Sequence, residues 1–336
     1  MLKARLLPYR LRFKEAATTS RSTMTDKETW FIELTDSDNG NRGVGEIPIF
    51  RGLSAEDTPE FTQSLINFGG NFDIDNVPDM SSVKFGVESA LTDMALRQNP
   101  ITEPFSYRIN GLIWMGSKDE MYRRICDKLE SGFKCLKLKI GGIDFENELN
   151  LLRFIRSKFS ADTLELRLDA NGSFMPENAI DRLNRLAKFD IHSLEQPIKQ
   201  GQLDQMARVV EKSPIAIALD EELIGTWNDS QRAEVLDTVK PHYIILKPSL
   251  CGGFESADQW IKLAVDRQIG WWATSALESN VGLTAIALWL RKYDVTMPQG
   301  LGTGALYTNN VDSPLTLDGE RLVFDPSKPL PELPNL

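Results

Sequence analysis

From about residue 105 onward, the chain alternates short apolar segments with helical stretches. The predicted strands are residues 107–112, 135–140, 165–170, 191–196, 215–220, 243–247, 270–276 and 295–299. Strands that alternate with helices are typical of a parallel α/β fold, and roughly 200 residues suffice for a compact (β/α) barrel. No GxGxxG sequence follows the first strand, which argues against a dinucleotide-binding sheet.

The first hundred residues have a different pattern. Residues 6–13 and 29–34 are predicted strands, and the Gly and Asn residues within 36–45 predict a hairpin turn. Residues 14–27 are polar and small, so we expect a mobile loop there and a second loop at 47–53. Helical spacing of apolar residues predicts a helix over 81–97. These elements indicate an α+β unit, and we expect the Pro-rich segment from Ala305 to pack back on it.

The charge balance of the chain is acidic. It has 48 Asp and Glu residues against 38 Lys and Arg, which gives a net charge of −10. Phosphate groups repel such a chain, so neither nucleic acid nor an anionic membrane is an expected partner. The two histidines, His192 and His242, leave little basis for a multi-histidine zinc site or a Ser-His-Asp triad. Acid–base chemistry would therefore rest on Lys, Asp or Glu.

The cysteines and the apolar segments bear on the cellular compartment. Cys126, Cys135 and Cys251 are scattered, so we expect buried thiols in a reducing compartment and no disulfide framework. Basic residues interrupt the first 14 positions, so no signal peptide is predicted. A run of about 18 uncharged apolar residues, which a membrane helix needs, does not occur. We expect a cytoplasmic protein.

Two lysines lie within the apolar segment 135–140. Strand alternation puts Leu136 and Leu138 on one face and Lys137 and Lys139 on the other. Helices cover the outer face of a barrel strand, so that face must be apolar. Both lysines are therefore predicted to point into the barrel.

The following strands also carry charged residues at their carboxyl ends, which form the catalytic face of such barrels. These residues, each about one βα unit after the previous one, are Asp169, Glu195, Asp220 and Lys247. The three carboxylates would repel one another unless a cation lies between them, and hard oxygen ligands suit Mg²⁺ best. Lys247 would face the two lysines of residues 135–140 across the cavity.

This arrangement suits proton abstraction next to a carboxylate. The metal ion would stabilise the enediolate that forms, and a lysine would take the proton. Two other functions use the same fold: a Schiff-base aldolase with Lys247 as nucleophile, and a barrel that only binds a ligand. The carboxylates favour the metal-dependent enzyme, because without a cation their repulsion is unrelieved. A binding module would not require the whole charged set.

Five short sequences at barrel spacing resemble those of a known family. They are KLKIG at 137–141, LDAN at 168–171, LEQP at 194–197, LDEE at 219–222 and LKPS at 246–249. The chain resembles the enolase superfamily and its muconate-lactonizing subgroup. The resemblance implies a (β/α)7β TIM-like barrel over 105–304, an N-terminal α+β capping domain over 1–104, and a C-terminal segment 305–336 that completes the cap.

Within the subgroup the chain looks most similar to the o-succinylbenzoate synthase family. The sequences that carry this resemblance are TSRSTMTDKETWFI at 19–32, INGLIWMG at 109–116, SALESNVGLT at 275–284 and GLGTGALYTNN at 300–310. It implies a carbon–oxygen lyase of menaquinone biosynthesis. The implied reaction is syn-elimination of water from 2-succinyl-6-hydroxy-2,4-cyclohexadiene-1-carboxylate through a metal-stabilised enediolate.

The resemblance also implies roles for individual residues. The implied ligands of Mg²⁺, with Mn²⁺ as a substitute, are Asp169, Glu195 and Asp220. Lys139 is the implied base and then the acid that assists departure of the hydroxyl. Lys247 would stabilise the enediolate, and Lys137 would assist at the carboxylate and tune Lys139.

Contacts with the substrate are expected from four further residues. They are Arg167, Asn171, Thr274 and Gly300. Gly300 would either offer a backbone N–H to the succinyl carboxylate or form a tight turn, and Arg167 would either contact substrate or pair with a site carboxylate. Residues 16–25 resemble a lid. The expected partner is one small carboxylate substrate, with the oligomeric state left open.

The nearest alternative reaction is N-succinylamino acid racemization, or another cycloisomerization or epimerization of the same subgroup. It would use the same base, metal and barrel. The last predicted strand ends in Gln299 and Gly300 without an Asp-x-Asp pair, which argues against a dipeptide epimerase.

Overall fold

The structure is a computed structural model that describes residues 1–18, 23–225 and 228–334. Its N-terminal part is an antiparallel sheet of β1 (Leu2–Thr18), β2 (Thr23–Asp36) and β3 (Arg42–Ile47), with β2 in the centre. Two helices pack on this sheet, α1 (Phe61–Gly70) and α2 (Ser81–Gln98). The helix predicted over 81–97 is α2, which begins at the predicted residue and ends one residue later.

The strands of the first hairpin extend further than the sequence predicts. Residues 14–18 and 23–27, expected to be a mobile loop, belong to β1 and β2, and Ala17 pairs with Met24. A register shift between Arg12 and Ala17 lets the hairpin continue. The apolar side chains of Leu11 and Ala17 pack against Leu277 beyond the sheet, which keeps this polar segment ordered. The remaining lid positions, 19–22, lie outside the described residues.

Within the described residues, seven parallel strands form the central sheet in the order β11-β10-β9-β8-β7-β6-β5. The strands are β5 (Gly111–Ile113), β6 (Cys135–Lys139), β7 (Glu165–Asp169), β8 (Ser193–Glu195), β9 (Ile217–Leu219), β10 (Tyr243–Leu246) and β11 (Gly270–Ala273). Parallel bridges from Ile109 to Gln299 and from Thr274 to Gly300 join its two edges. The sheet is thus closed through residues 299–300.

Helices alternate with these strands along the chain. They are α3 (Lys118–Glu130), α4 (Phe145–Lys158), α5 (Pro176–Leu186), α6 (Leu203–Lys212), α7 (Asp229–Val239), α8 (Gly253–Asp266) and α9 (Asn280–Trp289). Leu136, Leu138 and Leu168 are buried in the main core that these helices share with the sheet. The apolar face of each strand therefore lies against the helices, as the alternation predicts.

The first and last predicted barrel strands differ from the structure. Segment 107–112 is split, because β4 (Phe105–Arg108) pairs with a C-terminal strand and the chain joins the barrel only at Ile109. Segment 295–299 forms no strand in the described chain and contributes only the bridges at Gln299 and Gly300. Pro298 has no N–H to donate to a ladder, which explains the short pairing.

The C-terminal segment contacts both parts of the molecule. Its strands β12 (Leu315–Asp318) and β13 (Arg321–Phe324) form a sheet with β4. Tyr307 bridges to Phe13 of β1, and Arg97 of α2 donates to the carbonyl of Pro331 at 2.7 Å. No helix among the described residues is long and apolar enough to cross a membrane.

The closest approach between the N-terminal sheet and α2 depends on glycine. A Cβ added at Gly45 would collide with the carbonyl oxygen of Gly86 and lie 2.7 Å from the amide of Ala90. Backbone atoms cannot yield as a flexible side chain does. The glycines of β3 therefore fix the distance between strand and helix.

We expect Gly45→Ala to lower the free energy of unfolding by at least about 2 kcal/mol, because strand and helix must separate. Denaturant unfolding measures this loss. The control is Gly70→Ala, the same substitution at a position where nothing lies within 4 Å of the added Cβ. It should not lower the free energy of unfolding. Equal stability of the Gly45→Ala variant and the control would contradict this packing argument.

Candidate active site

Parallel pairing in register brings the predicted charged residues together. Lys139 pairs with Asp169 across β6 and β7, and Asp169 pairs with Glu195 across β7 and β8. Asp220 directly follows β9, and Lys247 directly follows β10. All of them therefore lie at the carboxyl end of the barrel, where the sequence placed them.

The lysines contact the carboxylates directly. The Nζ atom of Lys139 lies 2.6 Å from Asp169 Oδ2 and 2.8 Å from Asn171 Oδ1. Lys137 Nζ lies 3.0 Å from Asp169 Oδ2 and contacts Glu195 Oε2. These side chains are buried, so their charges are compensated mainly by one another.

A second lysine–carboxylate pair lies further round the barrel. Lys247 contacts Asp220 Oδ2 and keeps 12% of its side chain exposed. Asp220 in turn lies beside Glu195, which interacts with both aspartates. The row of carboxylates thus separates the lysines of β6 from the lysine after β10.

Burial and neighbouring charge shift the pKa values in this cluster. Burial raises the pKa of Glu195, and the charges of Asp169 and Asp220 raise it further. Burial also opposes ionisation of the two aspartates, but the lysines outweigh it and hold both pKa values below the usual range. For Lys137 and Lys247, burial lowers the pKa and the carboxylates more than restore it.

The carboxylate oxygens are suited to a hard divalent cation. Glu195 Oε1 is buried and has no hydrogen-bond partner in the part of the chain that the structure describes. As the side chains stand, no group of three or more described His, Cys, Asp or Glu residues is arranged to hold a metal ion. Lys137 and Lys247 take up the carboxylate oxygens instead. The donor set therefore fits an ion, provided that these ammonium groups move aside.

A cavity of about 400 Å³ opens over this cluster. Its lining includes Lys137, Lys139 and Lys247, together with Asn171, Thr274 and Gly300. Asn171 accepts from Lys139 and donates to Glu221 Oε1 at 3.0 Å, and Thr274 Oγ1 donates to the carbonyl of Gly300 at 2.9 Å. Three of the four predicted substrate contacts therefore line the cavity.

The sequence and structure of the chain match known proteins. Residues 120–303 match the family model described as enolase C-terminal domain-like. The o-succinylbenzoate synthase of Desulfotalea psychrophila is 47% identical over 91% of this chain and 95% of that protein. The chain belongs to the enolase superfamily. The resemblance predicted from the five barrel sequences is confirmed.

Solved structures agree with this family. The crystal structure of MenC from Desulfotalea psychrophila LSv54 has a TM-score of 0.79 at 42% identity, and the match covers 96% of this chain and 99% of that chain. The muconate lactonizing enzyme from Pseudomonas fluorescens has a TM-score of 0.82 at 18% identity, over 98% of this chain and 96% of that chain. This second likeness shows the fold alone. The predicted α/β barrel with an N-terminal α+β part is confirmed.

Arg167, the fourth residue predicted to contact substrate, lies outside the cavity lining that the described residues form. Its Nε donates to Glu165 Oε1 at 2.6 Å, its guanidinium carbon lies 4.3 Å from the ring centroid of Trp272, and it donates to the carbonyl of Pro298. Glu165 lies at the amino end of β7, away from the site, so these contacts match neither expectation for Arg167, contact with substrate or with a site carboxylate.

The sequence did not single out several other residues that line the cavity. They are Asn110, Thr303 and Glu221 of the barrel, with Met24, Arg51 and Leu53 from the N-terminal part. Asn110 Oδ1 and Thr303 Oγ1 are buried without hydrogen-bond partners among the described atoms. Glu221 could have been found, because it follows Asp220 directly at a strand end. Met24 lies in the segment 16–25 that resembles a lid, and Arg51 lies in a segment that local pattern identifies only as a loop.

A buried carboxylate joins the N-terminal sheet to the barrel. Glu46 of β3 accepts hydrogen bonds from the backbone amides of Ser279 and Gly282 at the start of α9, and from the hydroxyls of Thr29 and Ser279. Its side chain is fully buried beside Lys27. An acidic group at a helix N-terminus satisfies otherwise unpaired amides and interacts favourably with the helix dipole. Glu46 thus caps a barrel helix from the other part of the molecule.

We expect Glu46→Ala to lower the free energy of unfolding by about 3 kcal/mol, because buried amides at the start of α9 lose their acceptor. Thermal or denaturant unfolding measures it. Glu33→Ala, which removes a surface partner of Arg5 and Arg42, is the control and should cost less than about 1 kcal/mol. Comparable losses in the two variants would contradict the capping role.

Proposed function

We propose that this enolase superfamily member catalyses the metal-dependent dehydration of 2-succinyl-6-hydroxy-2,4-cyclohexadiene-1-carboxylate to o-succinylbenzoate, in menaquinone biosynthesis. It is a carbon–oxygen lyase. The 47% identity to an o-succinylbenzoate synthase over nearly all of both chains supports this reaction. The observation that carries the proposal is that Lys139 and Lys247 line one cavity and each contact one of the neighbouring carboxylates.

Lys139 is the proposed base. In its neutral form it removes the proton from the ring carbon next to the substrate carboxylate, which breaks the C–H bond. The resulting ammonium group then gives this proton to the leaving hydroxyl, so the C–O bond breaks and water departs. The ring becomes aromatic and Lys139 is neutral again. If Lys139 stays on one face of the ring for both proton transfers, the proton and the hydroxyl leave from the same face, which is a syn-elimination.

Lys137 and Lys247 would supply positive charge beside the carboxylates, where negative charge develops on the substrate. Such preorganised charge in a dry cavity lowers the barrier more than it would in water. Asp169, Glu195 and Asp220 would hold one divalent ion, Mg²⁺ or its substitute Mn²⁺. When bound, that ion would supply further positive charge next to the substrate carboxylate.

Other residues that line the cavity would orient the substrate. Asn171 carries one hydrogen bond from Lys139 and one to Glu221, so it links the base to the cavity wall. Thr274 and Gly300 form the opposite wall and would contact the succinyl arm. Met24 and Arg51 of the N-terminal part also line the cavity and would help exclude water. A cytoplasmic location remains a prediction from the sequence.

Lys139→Ala is expected to lower kcat at least about 10³-fold, because the proton loses its acceptor. Conversion of the cyclohexadiene carboxylate is followed spectroscopically. Lys134→Ala, which removes an exposed lysine just before the amino end of β6, is the control and should keep full activity. A folded Lys139→Ala variant with unchanged turnover would refute the assigned base.

Metal removal is expected to abolish activity. After dialysis against EDTA, turnover should fall below detection and return with added Mg²⁺, and Mg²⁺ should raise the melting temperature of the metal-free protein. Asp220→Asn should lose most of that rise, and Asp162→Asn, an exposed aspartate, should keep it. Full activity in EDTA with borohydride trapping at Lys247 would instead support a Schiff-base enzyme.

N-succinylamino acid racemization is the second candidate. Lysines on opposite sides of the cavity support it, because a racemase needs one base for each face of the substrate. The L-Ala-D/L-Glu epimerase of Bacillus subtilis is 27% identical over 52% of this chain and 47% of that protein, which adds a relative of that reaction type. The assay of the cyclohexadiene carboxylate is therefore run beside N-succinyl amino acids. No dehydration of the former would overturn the main proposal.

A further inference from the structure

The turn that follows Lys139 is tightly packed between neighbouring loops. Residues 140–143 form the turn between β6 and the N-cap residue of α4, and Gly141 has a φ of +89°, which favours glycine. A Cβ at Gly141 would collide with Ser173 Oγ, and one at Gly142 would collide with Met115 Sδ. Ser173 lies two residues beyond Asn171, which contacts Lys139. The turn therefore sets the spacing between the base and its partner on the next strand.

Glu148 of α4 reaches back to this turn. Its Oε1 accepts a hydrogen bond from the backbone amide of Gly141 at 2.6 Å, and the amides of Gly142 and Ile143 also interact with its carboxylate. The residue is 2% exposed. Converging backbone amides form a nest that favours an anion, so a carboxylate fits this turn better than a neutral group does.

The carboxylate of Glu148 is costly to bury. Burial raises its pKa to about 7, although the three amides and Arg182 of α5 lower it. Ser173 and Met115, whose side chains lie against Gly141 and Gly142, are neutral. Oε2 has no hydrogen-bond partner among the described atoms. Above pH 7, a neutral side chain of the same shape would therefore stabilise the fold more than Glu148 does.

We propose that Glu148 is a positioning residue for the reaction, whose carboxylate holds the turn 140–143 where Lys139 needs it to act as the base. This inference rests on the proposed role of Lys139. A displacement of about 1 Å at a reacting group can cost about 10²-fold in rate, so one anchor behind the base has a large effect on kcat. Glu148 does not line the cavity, so substrate binding should depend on it little.

The direction of the pH effect follows from the pKa. The pKa of Glu148 in the folded protein lies above its usual value, so its contribution to stability is fully present below about pH 4.5 and is lost as the pH rises through about 7. Ionisation over the same interval strengthens the hold on the turn. Stability and activity should therefore change in opposite directions between pH 6 and pH 8.

The test is the Glu148→Gln variant. The matched control is Glu146→Gln, which makes the same substitution at an exposed position of α4. At pH 8 we expect kcat to fall about tenfold, KM to change less than about twofold, and the melting temperature to rise. The wild type and the control should lose kcat below about pH 7, and Glu148→Gln should lack this acid limb. Hydrogen exchange of amides 141–143 should become faster.

Three results would overturn the inference. They are an unchanged kcat in Glu148→Gln, a fall in melting temperature together with kcat, or unchanged amide exchange at 141–143. A joint loss of stability and activity would indicate a purely structural role. Amide exchange and melting temperature need no substrate, so they still decide whether Glu148 holds the turn if the wild type fails to dehydrate the proposed substrate.

Discussion

The parallel register of β6 to β9 is the constraint on which the rest of the structure depends. Because Lys139, Asp169 and Glu195 are paired neighbours on adjacent strands, their charges meet inside the barrel. Removal of each charge from water is costly and is offset mainly by the other charges in the cluster. Removal of one of these charged side chains would therefore leave another buried charge without a partner and destabilise the fold. Catalytic groups and stabilising groups are here the same side chains.

The N-terminal sheet completes this environment. Glu46 joins β3 to the start of α9, and Met24 and Arg51 contribute to the lining of the cavity. Exclusion of water lowers the local dielectric constant, so the lysines act more strongly on charge that develops in the substrate. The polar strand ends and the N-terminal part thus depend on each other, since neither encloses a cavity alone.

The sequence predicts the parts of this protein that follow from local periodicity. Strand alternation identified Lys137 and Lys139 as inward-facing, and barrel spacing identified Asp169, Glu195, Asp220 and Lys247. Long-range pairing was not predictable in the same way: the polar residues 23–27 are strand because they pair with β1, and β4 pairs with β13 more than 200 residues away. Arg167 has the alternation of an inward residue, but its distance along β7 from the carboxyl end places it against Trp272.

Two buried carboxylates outside the charged cluster share one physical role. Glu46 accepts amides at the start of α9, and Glu148 accepts the amide of Gly141 next to the base. Burial raises the pKa of both, so ionisation of either carboxylate costs stability relative to its protonated form. The turn after β6 and the start of α9 lie beyond the strand ladders, so their backbone amides have no partner within the sheet. Charged side chains bonded to backbone amides supply the missing rigidity, and the protein gives up some stability for the placement of its reactive groups.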